Sequence, residues 1–271
     1  MPRVSVIMGV HNSGAKVERA IVSILDQSFT DFEFIICDDG STDDTGLRLA
    51  SLAEDDPRIK LLRHKYNRGL APTLNACLRE ASGAYIARMD DDDWSHPDRF
   101  EKQVTFLDAH PEYAIVGTSR NVFDKNGIWG TRVSSGEPSK LQIFRGRTFL
   151  HPSVMMRRGA LQEVGGYTTG KLTERVEDFD LWCKLYSKGY VGYNLPDVLI
   201  DYYEARDSYK KRKYRYRLNE FRLKRQWAQV LGIPLQQQFY AYRPLIVGLF
   251  PAAWVRRYHE QKYRKPSERN Q

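Results

Sequence analysis

Apolar residues fall into short blocks that alternate with amphipathic stretches through the first 90 residues. RVSVIMGV (3–10) is a β-rich apolar run bounded by HNSG, which predicts a buried strand. Val17, Ala20, Ile21, Ile24 and Leu25 then recur at helical spacing. FEFIIC (32–37) predicts a second strand, and Ser41 and Asp44 have capping-box spacing for a helix over 43–53. IKLLRH predicts a third strand and LAPTLNACLREA a third helix closed by Gly83. AYIARM predicts a fourth strand, and four consecutive aspartates, Asp90 to Asp93, follow it.

Such alternation means a parallel sheet with right-handed crossovers. Ligands of these sheets bind beyond the carboxyl ends of the strands. His11-Asn12, Asp38-Asp39, Asn67-Arg68-Gly69 and the aspartate run all fall at such ends. A charge run is ordinarily a solvated loop, but this position marks a ligand site.

Beyond Pro97 the pattern is thinner. Phe100, Val104 and Leu107 line a helix to about Ala109; YAIVGTS predicts a strand and Asn126-Gly127 a hairpin. FLHPSVMMRR reads as a strand, GALQEVGGY as a short helix with a glycine turn, and RVEDFDLWCKLYSKG as a helix with Phe179, Trp182 and Leu185 on one face. Specificity is expected in 118–175 and in the C-terminal region, where motifs are sparse.

Charge divides the chain. Residues 205–271 hold 17 of the 42 Lys+Arg but four of the 34 Asp+Glu. The remainder is mildly acidic although the whole carries +8. This predicts a catalytic body over 1–204 and a basic, amphipathic extension over 205–271 for an anionic surface. Three scattered cysteines in apolar surroundings read as reduced core thiols. No signal segment and no span of about 18 apolar residues is seen, so a cytoplasmic location is expected.

Four adjacent carboxylates raise one another's pKa, and a divalent cation would offset them. Asp90 and Asp92 share a face of an extended segment. Carboxylates without His or Cys suit Mg2+ or Mn2+ rather than zinc. Asp38-Asp39 suits nucleoside recognition or a helix cap. No G-x-G-x-x-G loop is present, which argues against a nicotinamide dinucleotide.

Taken in order, VSVIMGVHN, FIICDDGSTDDT, NRGLAPTLN, GAYIARMDDDD, HPSVMMRR, GGY and EDFDLW resemble the family-2 glycosyltransferases of GT-A fold, over roughly residues 3–205. The resemblance implies a mostly parallel, Rossmann-like α/β sheet flanked by helices, with residues 1–95 binding the donor and 96–204 the acceptor. It also implies an inverting transfer from a nucleoside-diphosphate sugar, with UDP as default, assisted by Mn2+ or Mg2+.

By the same resemblance, Val10, His11, Asp38, Asp39, Arg68, Arg88, Asp90 and Asp91 bind the donor, and Asp92 with Asp90 holds metal. Asp178 is the base, with Glu177 beside it. Arg88 or His151 meets the charge on the leaving diphosphate, and Asp93, His151, Gly166, Tyr167 and Trp182 lie toward sugar or acceptor. Glu177-Asp178 could equally be an acid pair favoured by a helix N-terminus, and His151 a strand-end histidine. Gly9 and His11 stand where the family often has Pro and Tyr or Phe. The Q/R-x-x-R-W signature of processive members is absent, which favours transfer of a single sugar.

KKRKYRYRLNEFRLKRQW interleaves cations and aromatics, one footprint of nucleic-acid binding. The later stretch 235–271 instead fits an in-plane membrane contact, with Arg256, Arg257, Lys262 and Arg264 at anionic headgroups. The expected partners are therefore a sugar-nucleotide donor, a glycan or lipid-linked acceptor and the inner-membrane surface, not nucleic acid. Packing of the extension on the domain, or a homodimer, is the alternative. The other function classes are a sugar-nucleotide or lipid-surface protein without turnover, and a pyrophosphorylase, whose glycine-rich basic loop is missing.

Overall fold

The first half of the chain follows the predicted alternation. β1 (Val4–Val10), β2 (Phe32–Asp38), β3 (Ile59–Arg63) and β4 (Tyr85–Arg88) are connected by α1 (Lys16–Leu25), α2 (Thr45–Asp55) and α3 (Leu70–Glu80). These come from a computed structural model, which describes residues 1–146, 148–204 and 213–250. All pairings among the four strands are parallel, in the order β3-β2-β1-β4. α2 lacks the expected capping box. The Asp43 carboxylate accepts from the Thr45 N–H at 3.0 Å, while Ser41 Oγ is turned to the Asn12 N–H, also at 3.0 Å.

The second half is mixed. It runs β5 (Trp94–Ser95), α4 (Arg99–Ala109), β6 (Tyr113–Asp124), β7 (Gly127–Arg132), α5 (Lys140–Phe144), β8 (Met155–Arg157), α6 (Arg158–Glu163), α7 (Glu177–Ser187) and β9 (Val191–Tyr203). β8 is antiparallel to both β4 and β6, β9 is parallel to β6, and β5 is antiparallel to β9. The hairpin expected at Asn126-Gly127 joins β6 to β7. FLHPSVMMRR is strand only at β8. Pro152, with fixed φ and no N–H to donate, sits instead in a 3₁₀ turn over His151–Ser153.

Because β1 has a strand on each side, both its faces are covered by helices and all its positions are apolar or small. Val4, Val6 and Met8 enter one core with Val17, Ile21 and Ile24 of α1 and Phe100 and Val104 of α4. Ile7, Ile35 and Cys37 enter the core on the other face, with Leu74 of α3 and Leu181, Trp182 and Leu185 of α7. Cys37, Cys77 and Cys183 are buried free thiols.

The extension does not stand apart over its described part. Beyond residue 213 it forms α8 (Tyr214–Val230), a 3₁₀ helix over Leu235–Tyr242 and α9 (Arg243–Gly248). Leu223, Ala228, Leu231 and Ile233 join the core that contains Trp182. Tyr216 Oη donates to Glu174 at 2.9 Å and Trp227 Nε1 to Asp180 at 2.8 Å. Lys224 is buried, 3.4 Å from Glu220 and over the Phe179 ring at 5.4 Å. The interleaved cations and aromatics of α8 thus supply a docking face for α7. No helix among the described residues is long and apolar enough to cross a membrane. Residues 251–271, with their four expected headgroup cations, lie outside the described residues.

Candidate active site

Beyond the carboxyl ends of β1, β2 and β4 lies a cleft of about 670 Å³, lined among others by Val10, His11, Asp39, Arg68, Asp90 and Asp91. The turns around it are held by side chains at strand ends. Asp39 Oδ1 accepts from the Arg68 N–H at 2.9 Å and contacts His64 Nδ1 at 2.8 Å, and Oδ2 accepts from the Gly69 N–H at 2.8 Å. Burial alone would raise the Asp39 pKa, but these hydrogen bonds outweigh it and hold the carboxyl below its usual range. Gly40 permits the close approach of the facing loop: its φ is +70°, and a Cβ there would lie 2.6 Å from the Tyr66 backbone.

Asp38 is placed differently from the expectation. It is buried, accepts from the Ser41 N–H at 2.9 Å and lies 3.3 Å from Arg63 Nε, and it does not line the cleft. Strand alternation explains the split, since adjacent residues point to opposite faces. Asp39 faces the ligand space and Asp38 holds its own turn.

Ligand oxygens of Asp90, Asp92 and Asp93 lie within 4.8 Å of one another. Asp91 points elsewhere and accepts from Ser13 Oγ. Burial, reinforced by Asp90 and Asp91, pushes Asp92 up to about 7. Burial also raises Asp93 well above the carboxylate range, with Asp90 and Asp92 adding to it. Asp93 was expected to face sugar or acceptor. Instead it is buried in this cluster, one oxygen accepting from the Tyr203 N–H at 2.7 Å and the other, Oδ2, without a partner. An orphaned buried carboxylate oxygen beside two further carboxylates fits a hard divalent cation. Protein cations supply part of the offset. Arg88 pairs with Asp90, and Arg99, fully buried behind the run, donates to the Arg88 carbonyl at 2.8 Å.

A second cavity of about 360 Å³ adjoins the cleft. Leu70, Asp90, Arg175 and Glu177 line both. Asp178, at the N-terminus of α7, lines only the second, with Arg88, Arg120, Arg132, His151 and Tyr202 among its neighbours. Burial by itself raises Glu177, and the Asp178 charge adds to this. The aligned N–H groups of α7 favour both carboxylates. Asp178 Oδ1 accepts from the Phe179 N–H at 2.7 Å.

Several expected acceptor-side residues are walls rather than contacts. Burial, with Arg88 nearby, drives the His151 pKa well below its ordinary value. A neutral imidazole, 2.7 Å from Tyr167 Oη, brings no positive charge to a leaving diphosphate. Tyr167 and Trp182 are buried and line neither cavity; Trp182 packs edge-on against Phe149 and His151. Gly166 has φ +64°, and a Cβ there would fall 2.8 Å from Asn75 Oδ1, which accepts from the Tyr167 N–H at 2.9 Å. Arg120, Arg132, Arg175 and Tyr202 escaped the sequence reading. Arg120 and Arg132 flank the Asn-Gly turn nearly symmetrically, which was the available signal.

A Rossmann-like sheet with an acidic cluster at its carboxyl edge and a second carboxylate-lined cavity beside it defines an α/β protein that takes its ligand at the strand ends. The sequence signature of "Glycosyl transferase family 2" matches residues 5–165, and the chain belongs to that family and is a glycosyltransferase. It is 42% identical to the Bacillus subtilis protein named "Putative glycosyltransferase EpsE", over 98% of this chain and 96% of that one. It is 27% identical, over 91% of this chain and 93% of the other, to the Escherichia coli UDP-Glc:alpha-D-GlcNAc-diphosphoundecaprenol beta-1,3-glucosyltransferase WfgD. The solved structure of S. aureus TarS in complex with UDP-GlcNAc superposes with a TM-score of 0.72 at 17% identity, covering 96% of this chain and 79% of that one. This last likeness bears on the fold.

Proposed function

We propose that the chain transfers one sugar, with inversion, from a nucleoside-diphosphate sugar to a hydroxyl of a glycan or lipid-linked acceptor, and that a divalent metal assists. The observation that carries this reading is the placement of Asp90, a member of the acidic cluster, on the border between the two cavities, with Asp39 and Asp91 lining only the first and Asp178 only the second. Residues 1–95 supply most of the donor cleft, which Gly170 to Glu177 close on one side, and 96–204 supply most of the second cavity.

Val10, His11 and Asp39 bind the nucleoside, and Arg68 covers it. Asp90, Asp92 and Asp93 hold Mg2+ or Mn2+, which when bound supplies positive charge for the departing diphosphate. Asp178 accepts the acceptor hydroxyl's proton as that oxygen bonds to the anomeric carbon. The bond from that carbon to the diphosphate oxygen breaks on the opposite face, and the diphosphate keeps the electron pair. UDP as the nucleotide is supported by the names of WfgD and of the TarS complex.

The extension brings the enzyme to the cytoplasmic membrane face. Leu235, Phe239, Ile246, Leu249 and Phe250 are exposed on its described part, and the basic stretch 251–264 follows them in sequence. Loss of liposome flotation on deleting 251–271 is expected. Calorimetric titration of UDP, GDP and dTDP, with and without Mn2+, tests the donor site. Metal-dependent binding of one nucleotide supports it, and no binding with metal present breaks it.

A further inference from the structure

We propose that Arg175 is a further binding residue of the transfer, meeting the donor phosphate that carries the sugar, and that Tyr216 and Asn219 of α8 are positioning residues that hold its loop. The inference rests on the reading of the first cavity as the donor cleft and of Asp178 as the base. On that reading the anomeric carbon lies between the two cavities, with its phosphate on the cleft side. Four residues line both cavities: Leu70, Asp90, Arg175 and Glu177. Arg175 is the cation among them. The two residues expected from the sequence to meet the diphosphate line only the second cavity, and of these His151 is neutral and Arg88 is paired with Asp90.

The backbone around Arg175 is built to present its side chain. Its φ is +67°, a left-handed state that a residue with a Cβ adopts at a cost. The segment before it is closed on itself. Thr173 is buried, its Oγ1 donates to the Thr168 carbonyl at 2.8 Å, and its own carbonyl accepts from the Val176 N–H at 2.9 Å. α8 grips the same segment from outside. Asn219 Nδ2 donates to the Lys171 carbonyl at 2.6 Å, and Tyr216 Oη and Arg215 Nη2 donate to Glu174 Oε1 at 2.9 and 3.0 Å. Gly170, Lys171, Thr173 and Glu174, all in this braced segment, line the donor cleft with Arg175.

The acids near Arg175 have other partners or a shared helix end. Glu174 is held by α8 and Asp90 by Arg88. Glu177 and Asp178 sit at the N-terminus of α7, whose N–H groups favour their charge. A guanidinium fork can pair with two oxygens of one phosphate. Held on the wall opposite the aspartate run, Arg175 would offset the charge that develops on that phosphate as the sugar leaves.

Glycine accommodates φ +67° without strain, so Arg175→Gly removes the guanidinium and should leave Tm undiminished. The test is calorimetric titration of the full chain in Mg2+ with UDP and UMP, which differ by the sugar-bearing phosphate. Arg175→Gly should weaken UDP by about tenfold and leave UMP unchanged, and Arg175→Lys should recover part of the loss. Tyr216→Phe and Asn219→Ala should weaken UDP less, also sparing UMP, and should add nothing to the loss in Arg175→Gly, because they act through that side chain. UDP binding by Arg175→Gly equal to that of the wild type overturns the proposal, as does an equal loss for UMP. Additive losses from the α8 variants overturn the positioning role. Wild-type protein that binds neither nucleotide brings down the donor reading itself, an outcome distinct from wild-type binding that Arg175→Gly leaves intact.

Discussion

The donor cleft and the second cavity share a wall but are built in different ways. On the donor side, side chains at the ends of adjacent parallel strands hydrogen-bond to backbone, as Asp39 does with the Arg68 and Gly69 N–H groups. Position follows from strand register, and Asp39 is fixed by main chain. On the acceptor side the walls come from a hairpin, a 3₁₀ turn and a helix N-terminus. Among the long side chains there, Arg88 is paired with Asp90 and Arg120 lies over the Tyr202 ring. The first arrangement suits the rigid recognition proposed for the nucleotide, and the second suits the acceptor proposed for it.

The sharpest way to break this comparison is to remove the carboxylate proposed as the base. Asp178→Asn should lower kcat by about 10²–10⁴-fold and leave calorimetric nucleotide affinity unchanged. Parallel loss of both would mean that the two sides are not separable.

Next is Asp92→Asn, which should abolish metal-enhanced nucleotide binding. It also carries a stability prediction with a definite sign. The Asp92 pKa is about 7 in the folded chain, above its unfolded value near 4. The metal-free folded state therefore holds the proton more tightly, and stability falls as pH rises from about 4 to about 7. Above that window, metal-free Asp92→Asn should be the more stable protein, by up to about 4 kcal/mol, and Mn2+ should raise the wild-type Tm more at pH 8 than at pH 6. Thermal scans with and without chelator check both, and a metal shift independent of pH would count against the cluster as the site.

Gly166→Ala places a Cβ against Asn75 at positive φ and should cost roughly 1–3 kcal/mol. The expected kinetic signature is on the acceptor side, since the displaced Tyr167 buttresses His151. The smallest effect is expected for Trp227→Phe, which loses one hydrogen bond to Asp180 and should cost about 1 kcal/mol in a denaturant titration.

The two sides also differed in how far they could be read. β1 to β4 were legible because a strand covered on both faces is a solid apolar block, and the ligand-facing acids sit just past each block. β9 was not. Pro196 lies within it, and its register against β6 shifts between Thr118 and Ser119, so no period of two survives in YNLPDVLI. The arginine pair was hidden for a related reason. Arg120 and Arg132 are 12 residues apart in sequence, and only the β6–β7 pairing makes them neighbours. Asp93 and Trp182 were misplaced because burial depth, unlike strand-end position, is not written in local spacing.

Trp227 of α8 is bonded to the residue two positions beyond Asp178, and Leu231 and Ile233 seal the same core. The extension therefore acts as a splint on the helix that carries Asp178. A shortened protein made to shed the end proposed to meet the membrane would keep a firm active site if cut after about residue 233. Cut before α8, it would lose the brace along with the proposed membrane contact, and its inactivity would say nothing about membranes.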